Sequence, residues 1–353
     1  MRLPIVLVLL AAACGTPAPE RGFASGEPSG APASQREAPQ VAASLAPCRG
    51  YPAQGLASTT PTPPQVVGTK QITLFYGTHT HGFLVRPDRI TFAHVAGLVG
   101  ELRASLPRPA RSLFVGNGDD LDSELCGVAT ASRHVIDAFN AAGLDADTFG
   151  YNEVSPEISR IEPAALLDLI GASRFTWVSA NVLDSSGADV FGKERGARRF
   201  VIRDLDGIRV GITGLVSLRP RAGFSVAAFE REMRALDPVI AMRAVVPEMR
   251  RAGAQVVVVL SHMGIEDVER VAREAEGIDV IVGNHCCDMG YLRQFGSTLV
   301  TDGHDNMNQV GELDLFLRDG HVVAHAFSLH AVTAAAPVDR AVTAVLERYV
   351  GKR

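Results

Sequence analysis

The chain of 353 residues lacks several features that would point to particular functions. After residue 13 it has no continuous apolar run long enough to span a bilayer. It has no excess of positive charge, since its formal net charge is -5, so nothing electrostatic favours nucleic-acid binding. Its hydrophobic content of 46% and charged content of 21% fit a globular protein with a substantial core.

The N-terminus predicts an export signal. Arg2 supplies a positive charge, and residues 3–13 form an apolar run of a length usual for signal peptides. The small residues directly before Cys14 resemble a bacterial lipoprotein cleavage box, after which Cys14 is the lipidated first residue; an ordinary signal peptide is the alternative. Residues 15–66 are rich in Pro, Ala, Ser and Gly and predict a disordered tether. We therefore expect a periplasmic or cell-surface bacterial lipoprotein that meets the membrane only through its lipid anchor.

Cysteines are few, at five in the whole chain. An exported protein can form disulfides, and four cysteines remain once Cys14 is set aside. Cys286 and Cys287 are neighbours, and neighbours rarely pair with each other because the geometry is strained. We therefore favour a disulfide between Cys48 and Cys126.

Helical and strand patterns alternate through residues 67–353, which predicts one folded α+β domain made of layered sheets and helices. The apolar run 72–76 predicts a buried strand, and residues 199–216 predict a β-hairpin. Helices are predicted over 91–106, 128–142 and 233–251.

Metal-ligand residue types follow five predicted strands, at the point where each strand ends. They are His79 and His81, Asp119, Asn152, His262, and His285 with Cys287. A single histidine or aspartate in a loop is usually just solvated. Five such loops at equivalent places predict one metal site, because functional groups gather where the strands of a layered fold end.

The order of these motifs resembles that of the calcineurin-like metallophosphatases, and within them the exported 5′-nucleotidase type. The similarity covers residues 70–332 of this chain. That branch has, in this order, the motifs N-D-x-H-G, G-D, G-N-H-E, S-H-x-G and G-G-H-x-H. The matching stretches here are 78–82, 118–119, 150–153, 261–264 and 284–287. The resemblance implies a four-layer α/β/β/α sandwich and two divalent ions (Zn, Mn or Fe) that share one carboxylate. It assigns the shared carboxylate to Asp119, the first metal to His81, and the second to His262 and His285.

The chain departs from the family pattern at several ligand positions. His79 replaces an aspartate and Cys287 replaces a histidine, which favours a softer, zinc-like first site. Strict alignment places Tyr151 at the family's ligand asparagine and Asn152 at the histidine that assists the leaving group. A shift of one residue would instead make Asn152 a metal ligand, and the sequence leaves both registers open.

The remaining candidates are weaker. His304 lies in a loop that flanks the site in the family, where it is a substrate contact, an extra ligand or only a polar loop residue. Arg219 and Arg221 are candidate oxyanion contacts or surface charges. The other histidines are predicted to be structural or exposed: His94, His134, His321, His325 and His330.

Together these features predict an exported hydrolase with two metal ions, acting on a small phosphoester or a related oxyanion. A metal-binding or ligand-binding lipoprotein without catalysis is the alternative on the same fold, and a sulfur-ester hydrolase is a third. The chain ends shortly after its last predicted strand, so we expect no C-terminal nucleotide-binding domain of the 5′-nucleotidase type. Nucleotide specificity therefore does not follow from the resemblance.

Overall fold

The computed structural model describes residues 66–154, 159–184, 197–217, 233–285, 290–303 and 306–350. The strands in these ranges are β1 Lys70–Tyr76, β2 Ser112–Val115, β3 Glu124–Leu125, β4 Val128–Ala129, β5 Ala146–Thr148, β6 Thr176–Val178, β7 Val182–Asp184, β8 Phe200–Asp204, β9 Arg209–Val216, β10 Met233–Ala235, β11 Val256–His262, β12 Val280–Val282, β13 Tyr291–Phe295, β14 Thr298–Asp302, β15 Gln309–Arg318 and β16 His321–Ala331. The α-helices are α1 Phe92–Ser105, α2 Arg133–Ala142, α3 Tyr151–Val154, α4 Pro163–Ala172, α5 Pro238–Arg251, α6 Ile265–Glu274 and α7 Arg340–Val350. None of the helices in these ranges is long and apolar enough to cross a membrane.

Several sequence predictions fall outside the described residues. They are the signal peptide with Cys14, most of the tether, Cys48, Arg219, Arg221, Cys286, Cys287 and His304. Cys126 is disulfide-bonded and is the only cysteine in the part of the chain that the structure describes. Its pairing with Cys48 stays a prediction.

Two six-stranded sheets form the centre of the domain. The first has the order β16-β15-β1-β2-β5-β6 and the second has the order β13-β14-β12-β11-β9-β8. In the first sheet β1, β2, β5 and β6 are parallel, and in the second β9, β11, β12 and β14 are parallel. Antiparallel strands form one edge of the first sheet, with β15 and β16, and both edges of the second, with β13 and β8. The parallel strands end in loops at one edge of each sheet, where ligand sites form in folds of this kind.

Alternation along the strands divides the core into three apolar layers. Leu74 of β1 faces the second sheet and packs with Val258 and Leu260, whereas its neighbour Phe75 faces the helices on the other side. Helices α1, α2, α4 and α7 cover the first sheet, and α5 and α6 cover the second. The predicted four-layer α/β/β/α sandwich is therefore confirmed.

The secondary-structure predictions were partly wrong at helix starts. The helix predicted over 233–251 begins only at Pro238, because Met233–Ala235 pairs with β7 as a strand. The Asp237 side chain then caps the helix by accepting the N–H groups of Val239 and Ile240. The helix predicted over 128–142 begins at Arg133. The hairpin over 199–216 is confirmed as the antiparallel pair β8 and β9.

Candidate metal centre

The ends of four strands bring most of the predicted ligand residues together. His79 and His81 follow β1, Asp119 follows β2, His262 is the last residue of β11, and His285 follows β12. Their ligand atoms form two clusters, within each of which all atoms lie within 4.8 Å of one another. The first cluster is His79, His81 and Asp119; the second is Asp119, His262 and His285. Asp119 belongs to both clusters.

The carboxylate of Asp119 is the centre of the arrangement. Its Oδ2 lies 3.8 Å from His79 Nε2, 3.9 Å from His81 Nδ1 and 3.3 Å from His262 Nε2. Two ligand atoms about 2.1 Å from one tetrahedral zinc ion are about 3.4 Å apart, so these distances suit a shared metal ligand. Its Oδ1 is held in place by the backbone N–H of Asn152, at 2.7 Å.

His262 is oriented as a metal-binding imidazole would be. Its Nδ1 lies 3.2 Å from the carbonyl oxygen of Asn117 and donates to it, which leaves Nε2 as the nitrogen with a free lone pair. That Nε2 atom is fully buried and has no hydrogen-bond partner in the described part of the protein. Metal-bound histidines usually donate their second ring N–H to such a carbonyl. The residues present therefore fit a divalent metal ion.

Asp119 and the histidines around it shift the pKa values of one another. Burial disfavours the ionised form of Asp119, but the three surrounding histidines, His262 above all, outweigh burial and hold the pKa of the carboxyl well below its usual range. Burial likewise opposes protonation of His262, yet the Asp119 carboxylate outweighs it and raises the pKa of the imidazole. This mutual attraction marks a position where positive charge is favoured.

The loops that carry these side chains have unusual backbone conformations. His79, His81 and Asp119 all have positive φ angles, of 54°, 49° and 57°. Left-handed conformations cost non-glycine residues roughly 1–3 kcal/mol each and often occur at functional sites. Hydrogen bonds between the two loops hold them: His81 N–H donates to the carbonyl of Asp119 at 2.8 Å, and Gly82 N–H donates to the carbonyl of Asp120 at 2.9 Å.

Glu153 supports the Asp119 loop from below, and sequence reasoning gave it no role. Its carboxylate accepts four backbone N–H groups, from Asp119, Asp120, Leu121 and Gly150, at 2.7–3.0 Å. Burial, with help from the Asp119 charge, raises the pKa of Glu153 to about 7. The last position of the G-N-H-E motif was the sequence signal that could have identified it.

His134 supports the neighbouring loop. It is buried on α2, where its Nε2 donates to the carbonyl oxygen of Gly82 at 2.9 Å and its Nδ1 accepts from Thr130 Oγ1 at 2.6 Å. Burial lowers the pKa of His134 to about 4. The imidazole is therefore neutral at physiological pH and stabilises the backbone next to His81.

The loop after β5 places two consecutive residues differently. The ring of Tyr151 lies against the imidazoles of His262 and His285. Asn152 lies beside Asp119, and its side-chain nitrogen donates to the carbonyl of Leu121 at 2.7 Å. Tyr151 therefore faces the second cluster, where strict alignment placed the family's asparagine. A ligand role for Asn152 stays a prediction.

This fold, with candidate ligand residues at the strand ends of two facing sheets, is that of the metallophosphatases. No family model matches the chain. It is 26% identical over 197 residues to a probable 5′-nucleotidase of Treponema pallidum, covering 56% of this chain and 31% of that protein. The chain spans less than half the length of the first two curated relatives it matches.

Solved structures show the same fold. The calcineurin-like phosphoesterase YfkN from Bacillus subtilis superposes with a TM-score of 0.62 at 20% identity, covering 80% of this chain and all of that one. The sulfate thiohydrolase SoxB of Thermus thermophilus superposes with a TM-score of 0.66 at 18% identity, covering 79% of this chain and 60% of that one. The resemblance to calcineurin-like metallophosphatases of the 5′-nucleotidase type is thus confirmed.

Proposed function

We propose that this protein is an exported, metal-dependent phosphoesterase that hydrolyses a small phosphoester at a centre of two divalent ions. The observation that carries the proposal is the position of Asp119 Oδ2, which three imidazoles approach from two clusters. The names of the similar proteins, a 5′-nucleotidase and a phosphoesterase, support the same chemistry.

The ligand residues divide between the two ions. His79, His81 and Asp119 hold the first, joined by Cys287 from outside the described residues; Asp119, His262 and His285 hold the second, with Asn152 as a further candidate. Three of the first four groups are nitrogen or sulfur donors, which favours zinc over manganese or iron at the first site. Divalent ions held there supply Lewis acidity and an activated water.

The protein's own residues set the limits of the reaction. In the strict alignment, Asn152 stands where the family has the histidine that assists the leaving group, and an amide cannot donate a proton as a general acid. We therefore propose substrates with good leaving groups, such as aryl phosphates or anhydrides, over alkyl esters. His304 is the candidate for a substrate contact. The predicted signal peptide, the lipid anchor at Cys14 and the tether over 15–66 support a periplasmic or cell-surface location.

Metal content and turnover of an aryl phosphate by the purified protein test the proposal. The expected result is two bound divalent ions, with turnover lost in Asp119→Ala and in His262→Ala. His321→Ala is the matched control, because His321 is exposed at the start of β16, and it should keep full activity. A wild-type protein without stoichiometric metal would overturn the proposal.

A second candidate function is metal or ligand binding without catalysis. The observation that favours it is the pair Tyr151 and Asn152, which removes the family's leaving-group histidine from the described site. Bound metal without turnover of phosphoesters, nucleotides or thiosulfate esters would favour this function. The similarity to a sulfate thiohydrolase supports a third candidate, which turnover of the thiosulfate ester alone would favour.

A further inference from the structure

Tyr151 forms a wall of the second metal cluster. Its ring centroid lies 4.7 Å from that of His285 and 5.4 Å from that of His262, with interplanar angles of 82° and 84°. The two imidazoles are themselves 4.9 Å apart in a similar edge-on arrangement. Tyr151 is only 4% exposed, so the ring is packed into the cluster and does not lie on the surface.

An aromatic ring at this position limits what can bind a metal ion there. Beside His262 and His285, the described residues provide Asp119 as the only further histidine, cysteine or carboxylate ligand. Asn152 donates its side-chain nitrogen to the carbonyl of Leu121 and its backbone N–H to Asp119 Oδ1. The ring carbons of Tyr151 that lie against the two imidazoles offer no lone pair to a metal ion, so only the phenol oxygen of this side chain can act as a ligand.

The number of ligands matters for metal choice. Zinc is commonly bound by three protein ligands and one exchangeable position in a tetrahedron. Manganese and magnesium prefer six oxygen-rich ligands in an octahedron. A cluster of two imidazoles and one carboxylate with an apolar wall provides the first arrangement and obstructs the second.

We infer that Tyr151 is the positioning residue that determines the metal preference of the second cluster, by keeping its coordination number at four and so selecting zinc over manganese. The inference rests on the proposed function only in requiring that the cluster binds a metal ion. It does not require that the protein hydrolyses a phosphoester.

Cobalt substitution provides a readout that is independent of activity. Four-coordinate Co²⁺ absorbs visible light much more strongly than six-coordinate Co²⁺, because the tetrahedral ion lacks a centre of symmetry. The measurement uses the full chain with His79→Ala and His81→Ala, which disable the first cluster. In this background the cobalt-loaded protein should show intense visible absorption, and competition dialysis should show zinc preferred over manganese.

Three substitutions of Tyr151 separate the effect of its aromatic ring from that of its phenol oxygen. Tyr151→Phe keeps the wall and should leave the cobalt spectrum and the metal preference unchanged. Tyr151→Asn adds a polar ligand and Tyr151→Ala admits water, so both should weaken the absorption and shift the zinc-to-manganese affinity ratio towards manganese by about tenfold. Circular dichroism melting confirms that each variant is folded.

The outcomes are distinct. An unchanged spectrum and affinity ratio in the Ala or Asn variant would overturn the inference. So would a Phe variant that behaves like the Asn variant, because the phenol oxygen would then be the acting group; this comparison stands even if the Asn and Ala variants do not fold. Turnover is measured separately, with both histidines of the first cluster intact. Wild-type turnover together with an unchanged spectrum in the Ala variant refutes the inference alone, whereas the expected spectra without wild-type turnover refute the proposed function alone.

Discussion

Replacing Glu153 with glutamine tests whether this buried carboxylate holds together the loop at Asp119 and the loop at Gly150. Its Oε1 accepts the N–H groups of Asp120 at 3.0 Å and Leu121 at 2.9 Å. Its Oε2 accepts those of Asp119 at 2.9 Å and Gly150 at 2.7 Å. A glutamine of the same shape has one accepting oxygen and one donating nitrogen, so it can serve only one of the two pairs.

The size of the effect follows from this count. Glu153→Gln leaves two buried N–H groups facing a donor, and each unsatisfied buried group costs roughly 1–3 kcal/mol. Removing the charge next to Asp119 gives part of this back, so we expect a loss of about 3 kcal/mol in the free energy of unfolding. Urea unfolding at pH 8 measures it on metal-free protein, where Glu153 is above its pKa of about 7 and therefore ionised.

Asp147→Asn is the matched control. Oδ1 of Asp147 accepts N–H groups from Gly118 and Thr148, but Oδ2 is buried without a hydrogen-bond partner in the described part of the chain. Burial and the nearby Asp120 raise the pKa of Asp147 well above its usual value, so its charge is disfavoured in the folded protein and the amide removes that charge. We expect a change below about 1 kcal/mol. Equal losses in the two variants, or no loss in Glu153→Gln, would refute the reasoning.

Three further predictions concern other parts of the site. His134→Gln keeps the hydrogen-bond donor but cannot titrate. Because folding lowers the pKa of His134 from 6.5 to about 4, the free energy of unfolding of the wild type should fall by up to about 3 kcal/mol more than that of the variant as pH falls from 6.5 to 4. Acid-unfolding curves measure this, and the control His321→Gln should behave like wild type. His79→Asp should shift the zinc-to-manganese affinity ratio towards manganese by about tenfold in competition dialysis, and an unchanged ratio would contradict a ligand role. Gly77→Ala should lower the free energy of unfolding in urea by about 2–3 kcal/mol, because φ is 144° and the new Cβ would lie 2.5 Å from the carbonyl oxygen of Gln309. A loss below about 0.5 kcal/mol would contradict the clash.

The sequence allowed the fold and the meeting of the strand-end loops to be predicted because both depend on local patterns. Buried strands such as β1 and β11 are continuous apolar runs, and parallel strands bring the loops at their carboxyl ends together. The pairing of β10 with β7 was missed, since it joins residues about 50 positions apart and leaves no mark on the sequence of Met233–Ala235.

The supporting side chains were harder to predict than the candidate ligands. Histidines at strand ends are recognisable by type and spacing, whereas Glu153 and His134 act through backbone groups that are close only in the folded chain. The Tyr151 and Asn152 register was undetermined for a similar reason. Which of two consecutive residues faces His262 and His285 depends on how α3 begins, and there the Tyr151 ring takes that position.

The buried carboxylates of the site divide into two kinds, and the division explains why only one is a candidate ligand. Glu153 and Asp120 direct oxygen atoms at backbone N–H groups, from four residues and from Thr80 respectively, so they fix loops. Asp119 has one oxygen bound by the N–H of Asn152 and directs the other at imidazoles. The hydrogen bond from the Asp119 N–H to Glu153 stabilises the loop and offsets the strain of the positive φ angle of Asp119. In this conformation Oδ2 lies where both clusters meet. Of these buried carboxylates, only Asp119 therefore directs an oxygen at the place where a cation would meet both clusters.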